Sequence, residues 1–92
     1  MEIKDFQDLI KQIYYEKDNK RGVEGTFVWF TEEVGELAGA IRSENQERLK
    51  EEFADVFAWL VSLASLRDID LQEAVEKYSE GCPKCNRNPC SC

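Results

Sequence analysis

Residues 26–41, TFVWFTEEVGELAGAI, decide the fold, because their apolar side chains recur at alternating spacings of three and four residues. That recurrence is the periodicity of an amphipathic α-helix. The apolar seam consists of Phe27, Phe30, Val34, Leu37 and Ile41. Thr26 is the expected N-cap of this segment, helix 2, and a seam of this kind is typical of a helix packed in a bundle.

A preceding helix 1 is predicted over about residues 2–17, where the apolar positions have the same spacing. The helical stripe is Ile3, Phe6, Leu9, Ile10, Ile13 and Tyr14. Residues 18–25 are polar, contain two glycines and predict a loop between the two helices.

Helix 3 is predicted to follow a polar break at residues 43–46, which offers two N-cap candidates and in which Ser43 and Gln46 have capping-box spacing. Its stripe, which extends to about residue 66, consists of Leu49, Phe53, Val56, Leu60 and Leu63. Asp70 and Glu73 repeat the capping-box spacing. They open a short helix 4, carrying Leu71, Ala74, Val75 and Tyr78 and ending near Gly81.

These elements predict an all-α fold, an antiparallel bundle of about four helices per chain. Residues 1–80 would form the helical domain and residues 81–92 a Cys-rich tail that is not an independent domain. No apolar run approaches the length of about 20 residues that spans a bilayer, and residues 1–5 do not resemble a signal peptide. We therefore expect a cytoplasmic protein without a membrane partner.

The charge balance limits the chemistry. A net charge of −7 disfavours DNA and RNA, whose backbones are bound through Lys and Arg. The chain contains no His, which excludes Ser-His-Asp catalysis and HExxH zinc hydrolysis. An acidic protein can still bind a phosphate ligand when metal cations lie between the two sets of oxygens.

Carboxylates border both apolar seams. At about 100° per residue, Glu33 and Glu36 share one strip with Trp29 and Ala40, and on helix 3 Glu52 and Asp55 share a strip with Trp59. If helices 2 and 3 pack antiparallel through their seams, these acid pairs face one another and repel unless a cation neutralises them. Oxygen ligands without His or Cys favour Mg²⁺ or Mn²⁺.

An ordinary solvated surface is the alternative interpretation, because Glu is a good helix former and is common on surfaces. That interpretation suits any single Glu better than it suits two acid pairs that both border a seam, in a stretch where helix 2 supplies few basic partners.

The two motifs, Glu32-Glu33-Val34-Gly35-Glu36 and Glu52-Phe53-Ala54-Asp55, resemble the EExxE and ExxD signature of the MazG family of all-α nucleoside triphosphate pyrophosphohydrolases. The likeness covers roughly residues 6–66. It implies a nucleoside triphosphate substrate, cleavage between the α- and β-phosphates, and Mg²⁺ (or Mn²⁺) as cofactor.

The resemblance also implies roles for individual residues. Glu33, Glu36, Glu52 and Asp55 would be the metal ligands, and Glu32 would orient or deprotonate the attacking water or join a further metal. Because one copy is too short to enclose a substrate, the likeness implies a homodimer or homotetramer.

Basic and aromatic residues near the acids are further candidates for substrate binding. Lys17, Lys20 and Arg21 precede helix 2 and suit contacts with the outer phosphates. Trp29 and Trp59 lie one turn from the acids, where an indole would stack on a base or pack in the core. Lys77 is the one match to basic residues that MazG relatives carry after the start of the fourth helix.

All four cysteines lie near the end of the sequence, in a CxxC-x4-CxC pattern formed by Cys82, Cys85, Cys90 and Cys92. Such clustering suits tetrahedral thiolate binding of a structural Zn²⁺. Disulfides and a redox or other metal site are the alternatives. The MazG resemblance does not extend to this pattern.

Two other functions fit the sequence less closely. One is a related dUTPase-like or phosphoribosyl-ATP pyrophosphohydrolase-like enzyme, which shares acidic helical chemistry and differs in its substrate. The other is a non-catalytic helical interaction module that binds a partner through the Cys-rich tail.

Overall fold

The computed structural model describes residues 1–92, and all of its regular structure is helical. Helix α1 comprises Ile3–Ser43, α2 Gln46–Leu66 and α3 Leu71–Ala74, and a 3-10 helix follows at Val75–Tyr78. The predicted all-α class is confirmed. The expected four helices are not, since the structure has three α-helices and one 3-10 helix.

A single residue, Gly22, interrupts α1 with φ 82° and ψ 171°, a conformation that is essentially restricted to glycine. A straight helix of 41 residues would be about 60 Å long. The longest dimension of the molecule is 40 Å, so α1 bends sharply at Gly22. The loop predicted over residues 18–25 is therefore wrong in extent, and Thr26 is a fully buried residue inside the helix rather than an N-cap.

The residues before this bend stay helical because their polar side chains pair along the helix. The Arg21 guanidinium donates to the Asp18 carboxylate at 2.9 Å, and Asp18 is buried. An i, i+3 ion pair of this kind stabilises a helix. Polarity at residues 18–21 therefore reflects a helical ion pair and not the predicted loop.

A short turn joins α1 to α2. Glu44 takes a left-handed conformation with φ 59°, and Asn45 is the N-cap of α2, accepting from the Arg48 backbone N–H at 3.1 Å. The predicted capping by Ser43 and Gln46 is wrong, because the Ser43 hydroxyl instead donates to the Ala40 carbonyl at 2.7 Å. The turn sends α2 back antiparallel along α1.

The surface of α1 that packs against α2 is not the predicted apolar seam. Ala40 and Val61 are fully buried between the helices, and the indoles of Trp29 and Trp59 stack with centroids 6.1 Å apart. Three of the five residues of the first predicted seam and two of the five of the second face solvent. These residues are Phe27 (55% exposed), Val34 (42%), Ile41 (54%), Phe53 (55%) and Leu60 (43%). The predicted seam-to-seam packing is therefore wrong for these positions.

The C-terminal part of the structure is tied back to α1 by Gln7, which is buried. Its amide donates to the Ser65 hydroxyl at 3.1 Å and the Ile69 carbonyl at 2.8 Å, and it accepts from the Leu71 N–H at 2.9 Å. Every polar atom of the side chain is thus satisfied, as burial requires. Gln7 fixes where the segment after α2 begins.

Helix 4 is shorter than predicted. Asp70 does cap it, accepting from the Glu73 N–H at 3.2 Å. The α-helix ends at Ala74, and a 3-10 helix replaces the remaining turns up to Tyr78, as is common at helix ends. None of the helices combines the length and the hydrophobicity needed to cross a membrane.

Candidate active site

Three carboxylates converge between the two long helices. Glu33 extends from α1, while Glu52 and Asp55 lie one turn apart on α2. One carboxylate oxygen of each lies within 4.8 Å of the others. The i, i+3 spacing of Glu52 and Asp55 places both on the side of α2 that faces Glu33.

Crowding changes the acid–base properties of this cluster. The pKa of Glu33 is raised from its ordinary value, first by partial burial and then by the neighbouring Glu52 carboxyl. The charges of Glu52, Asp55 and Glu36 raise it further. Repulsion among like charges in one site has this effect on a carboxyl group.

One oxygen of the cluster has no partner at all. Glu52 Oε2 is buried from solvent and neither accepts from nor is approached by any donor of the chain. A buried carboxylate oxygen without a partner destabilises the folded state and so lowers the free energy of unfolding. The cluster is therefore an arrangement that a cation would stabilise.

The two remaining acids of the EExxE motif, which lies on α1, are outside this group. The Glu36 carboxylate lies 4.0 Å from the Arg48 guanidinium, an exposed pair that contributes little to stability. Gly39 leaves room for that guanidinium, since a Cβ there would lie 3.2 Å from it. Glu32 is exposed on another face of α1.

A cavity of about 220 Å³ adjoins the acids. It lies between the first part of α1 and α2, and Asp55 belongs to both the acid cluster and the cavity wall. The other lining residues are Tyr14, Lys17, Asp18, Arg21, Ala58, Trp59 and Ser62. Cationic side chains and a carboxylate of the cluster thus share one small space.

Arg21 is held in place from three directions. Its guanidinium bonds to Asp18 and lies over the Trp59 ring, 5.0 Å from the ring centroid. Its stem passes Gly25 so closely that a Cβ there would lie 2.7 Å from the Arg21 Cγ. A preorganised guanidinium of this kind suits bidentate contact with a phosphate.

The four cysteines form a second cluster, whose possible metal ligands are sulfur atoms instead of oxygen atoms. All four are free thiols, and their sulfurs lie within 4.8 Å of one another. Backbone N–H groups of Ser91 and Arg87 lower the pKa of Cys85 to about 6. The neighbouring sulfurs, Cys90 first, raise the pKa of Cys92 to about 11.

Comparison with known protein families identifies the arrangement of acids on two helices. Residues 21–86 match the family model for the MazG nucleotide pyrophosphohydrolase domain, which is most of the chain. This chain belongs to the MazG family. The resemblance noted in the EExxE and ExxD motifs is thereby confirmed. Its predicted extent, residues 6–66, is wrong at both ends, since the match begins later and reaches past Cys82 and Cys85. A comparison with curated proteins found no match.

A divalent metal is the cofactor generally used by the MazG family, and the residues present fit one. The cluster supplies oxygen ligands alone, which favour hard cations. Glu52 Oε2 is a buried oxygen that has no hydrogen-bond partner in the chain and could ligate a metal. Glu33, Glu52 and Asp55 are close enough to share one ion.

The structure separates the predicted substrate-binding residues of this MazG chain into two groups. Lys17, Arg21 and Trp59 line the cavity beside the acids, and Trp29 stacks on Trp59 while keeping 46% of its surface exposed. Lys20 and Lys77 do not line the cavity. Lys20 is exposed on α1, and the Lys77 ammonium lies over the Tyr78 ring in the 3-10 helix.

Three residues that shape the MazG site were missed by the sequence analysis. Asp18 holds Arg21, Gly25 makes room for its stem, and Arg48 reaches Glu36 from the neighbouring helix. The i, i+3 spacing of Asp18 and Arg21 was a usable signal. Nothing local in the sequence marks Arg48, because its partner belongs to another helix.

A second cavity, of about 250 Å³, lies near the start of α1 and the end of α2. Seven of its eight lining residues are polar or charged, and its acids, Asp8, Asp68 and Asp70, form no metal-binding cluster. It shares no residue with the acid cluster. Although this cavity is slightly larger, it lacks the acid cluster and is not the candidate active site.

Proposed function

We propose that this chain is a Mg²⁺-dependent nucleoside triphosphate pyrophosphohydrolase that converts an NTP or dNTP and water into the monophosphate and pyrophosphate. The observation that carries the proposal is the buried, unpartnered Glu52 Oε2 among three converging carboxylates. Glu33, Glu52 and Asp55 would hold Mg²⁺ or Mn²⁺, with Glu36 as a fourth ligand once its exposed contact with Arg48 is given up.

When bound, the divalent ion neutralises phosphate charge and lowers the pKa of a coordinated water. The chain itself supplies positioning. The carboxylates on α1 and α2 would hold that ion. Glu32 would orient or deprotonate the attacking water, a role that requires its exposed side chain to turn toward the acid cluster. That water adds to the α-phosphorus while the bond to the β-phosphate breaks and pyrophosphate leaves, so no covalent protein intermediate is needed.

Arg21 and Lys17 are the proposed contacts for the outer phosphates, because they line the cavity that Asp55 shares. A charge-assisted hydrogen bond contributes about 1.5–3 kcal/mol, so Arg21→Ala is expected to raise KM by about tenfold or more. Lys20→Ala is the matched control, because Lys20 is the adjacent cation and lies outside the cavity. Equal effects of the two variants would remove Arg21 from the site.

The direct test measures pyrophosphate release from a panel of NTPs and dNTPs, with and without Mg²⁺. Metal-dependent release of pyrophosphate is expected, and it should fall sharply in Glu36→Gln and Asp55→Asn. Undiminished activity in both variants rejects the ligand assignment. Including dUTP and phosphoribosyl-ATP in the panel separates this activity from the two related substrate classes.

We further propose that a second copy of the chain completes the site. A cavity of about 220 Å³ is smaller than most small-molecule sites, which range from about 300 to 1,000 Å³. Five apolar residues of the predicted seams face solvent, and exposed apolar surface marks interaction sites. We define the seam face as Phe27, Val34, Ile41, Phe53 and Leu60.

Assembly is tested by sedimentation velocity over a range of protein concentrations. Val34→Lys places a charge in the seam face and is expected to shift the protein to monomers and reduce hydrolysis. Val28→Lys is the control, since Val28 is 63% exposed but lies outside the seam face. A monomeric wild-type protein with full activity would contradict the proposal.

A further inference from the structure

The cysteine tail, residues 81–92, has little that holds it in a fixed conformation. Its residues are exposed except Gly81, Cys82 and Cys85, which are half-buried, and none is fully buried. A segment without buried apolar side chains does not recover the conformational entropy that ordering costs. Another interaction is needed to fix it.

Two of the six sulfur–sulfur separations match those of a tetrahedral metal site, and all four sulfurs lie within 4.8 Å of one another. The Cys82 and Cys92 sulfurs are 3.7 Å apart, and those of Cys85 and Cys90 are 4.0 Å apart. Zinc–sulfur bonds of about 2.3 Å in a tetrahedron place sulfurs about 3.8 Å apart. A disulfide requires about 2.05 Å. The thiols are thus arranged around a common centre and are not paired.

The backbone of the tail is folded around that centre. The Asn86 N–H donates to the Cys82 carbonyl at 2.7 Å, and the Cys82 N–H donates to the Arg87 carbonyl at 2.9 Å. Gly81 permits this closure, because its φ is +104° and a Cβ there would lie 2.8 Å from the Arg87 carbonyl oxygen. These two hydrogen bonds close a turn between Cys82 and Arg87, and Cys85 lies within that turn.

Backbone donors also point at the sulfurs. The Ser91 N–H donates to Cys85 Sγ at 3.5 Å, and the Cys92 N–H donates to Cys90 Sγ at 3.4 Å. Hydrogen bonds to coordinating atoms orient the ligands of metal sites. Lys84 and Arg87 lie within the same turn, where their two positive charges would offset half of the charge of four thiolates.

We propose that Cys82, Cys85, Cys90 and Cys92 bind one Zn²⁺ as thiolates, and that this ion rather than apolar packing orders residues 81–92. Binding releases the thiol protons to solvent and involves no change of oxidation state. Four protein ligands leave no open position, so the site is structural. It differs from the acid cluster in ligand chemistry, which assigns the soft ion to sulfur and the hard ion to oxygen.

The first experiment is metal analysis of the full-length protein, purified without added metal. One zinc per chain is expected, together with four thiols that react once the zinc is displaced. Iron in place of zinc overturns the identity of the ion, and a metal-free chain without reactive thiols establishes disulfides instead. Neither result depends on the hydrolase activity, so the two proposals fail separately.

A matched pair of variants tests the ligands. Cys90→Ser is expected to lower bound zinc from one per chain to a small fraction, whereas Ser91→Ala, its neighbour, is expected to retain one. Zinc retained at full occupancy by Cys90→Ser contradicts the four-thiolate site.

Limited trypsin digestion of the wild-type chain tests the ordering without any substitution. A zinc-selective chelator, added in the presence of excess Mg²⁺, is expected to accelerate cleavage after Lys84 and Arg87 by at least about tenfold. Cleavage after Lys77, outside the tail, is the internal control. Unchanged cleavage after zinc removal shows that the ion does not order the tail and overturns that part of the proposal.

Discussion

The acid cluster and the cysteine tail both gather side chains that repel one another when ionised, but they are supported differently. Glu33, Glu52 and Asp55 extend from two long helices that pack through other residues. The cysteines lie in a turn with almost no packing. If both proposals hold, a metal at the first site would add chemistry to a formed fold, whereas a metal at the second site would be a condition of local folding.

The largest expected effect separates chemistry from folding at the acid cluster. Glu52→Gln removes the charge of the carboxylate that carries the unpartnered oxygen. It is expected to reduce Mg²⁺-dependent hydrolysis by more than about 10–100-fold, the loss typical when a residue that hydrogen-bonds to a metal ligand is replaced. The helices should remain folded by circular dichroism. Glu51→Gln is the control, since Glu51 is exposed on another face of α2. Unfolding of the Glu52→Gln protein would contradict the conclusion that the acid cluster, unlike the cysteine tail, lies on a fold that forms without its ligands.

The second effect concerns the helical platform. Gly22→Ala is expected to lower the free energy of unfolding by about 1–3 kcal/mol, because alanine is strained at this φ and ψ. No neighbour would contact the added Cβ, so the cost is entirely conformational. Chemical denaturation measures it. Gly35→Ala, also without a contact but within regular helix, should instead be neutral or stabilising by up to about 1 kcal/mol.

The third effect compares the two buried oxygens that lack partners, Glu52 Oε2 and Thr26 Oγ1. Thr26 is not part of the acid cluster, so its buried, unpartnered hydroxyl lowers the stability of the fold without serving a metal site. Thr26→Val is expected to stabilise the fold by about 1 kcal/mol, measured by thermal unfolding. Thr31→Val is the control, because the Thr31 hydroxyl donates to the Phe27 carbonyl. A destabilised Thr26→Val protein would show that the hydroxyl has a partner in solution.

The smallest effect is a pH dependence. Because the pKa of Glu33 is raised in the folded chain, the folded state binds its proton more tightly than the unfolded state does. Without Mg²⁺, stability should therefore fall as pH rises from the ordinary pKa of 4.5 through the raised value, and Mg²⁺ should reverse the fall. Thermal unfolding of Glu33→Gln should lack this component, while Glu32→Gln should retain it.

Much of this architecture was predictable. The three-and-four spacing predicted the helical content, and the i, i+3 spacing of Glu52 and Asp55 predicted that both approach Glu33. The MazG motifs predicted the family. Each of these patterns acts over a few residues along one helix, which is the range over which sequence periodicity is informative.

The errors have a common physical origin. Phe27 and Val34 form a regular apolar stripe, but such a stripe has the same spacing whether it packs within the chain or remains at its surface. Likewise, one glycine at position 22 bends α1, although the polar residues around it predicted a longer loop. Both outcomes depend on contacts between elements, which local composition does not specify.

The stacked pair Trp29 and Trp59 has a practical consequence. These are the only two tryptophans in the chain, and Arg21 covers one of them at the edge of the cavity beside Asp55. Nearly all of the intrinsic fluorescence of the protein therefore originates next to the acids. Emission intensity and wavelength would report occupancy directly, so titrations with nucleotide or magnesium need no attached dye.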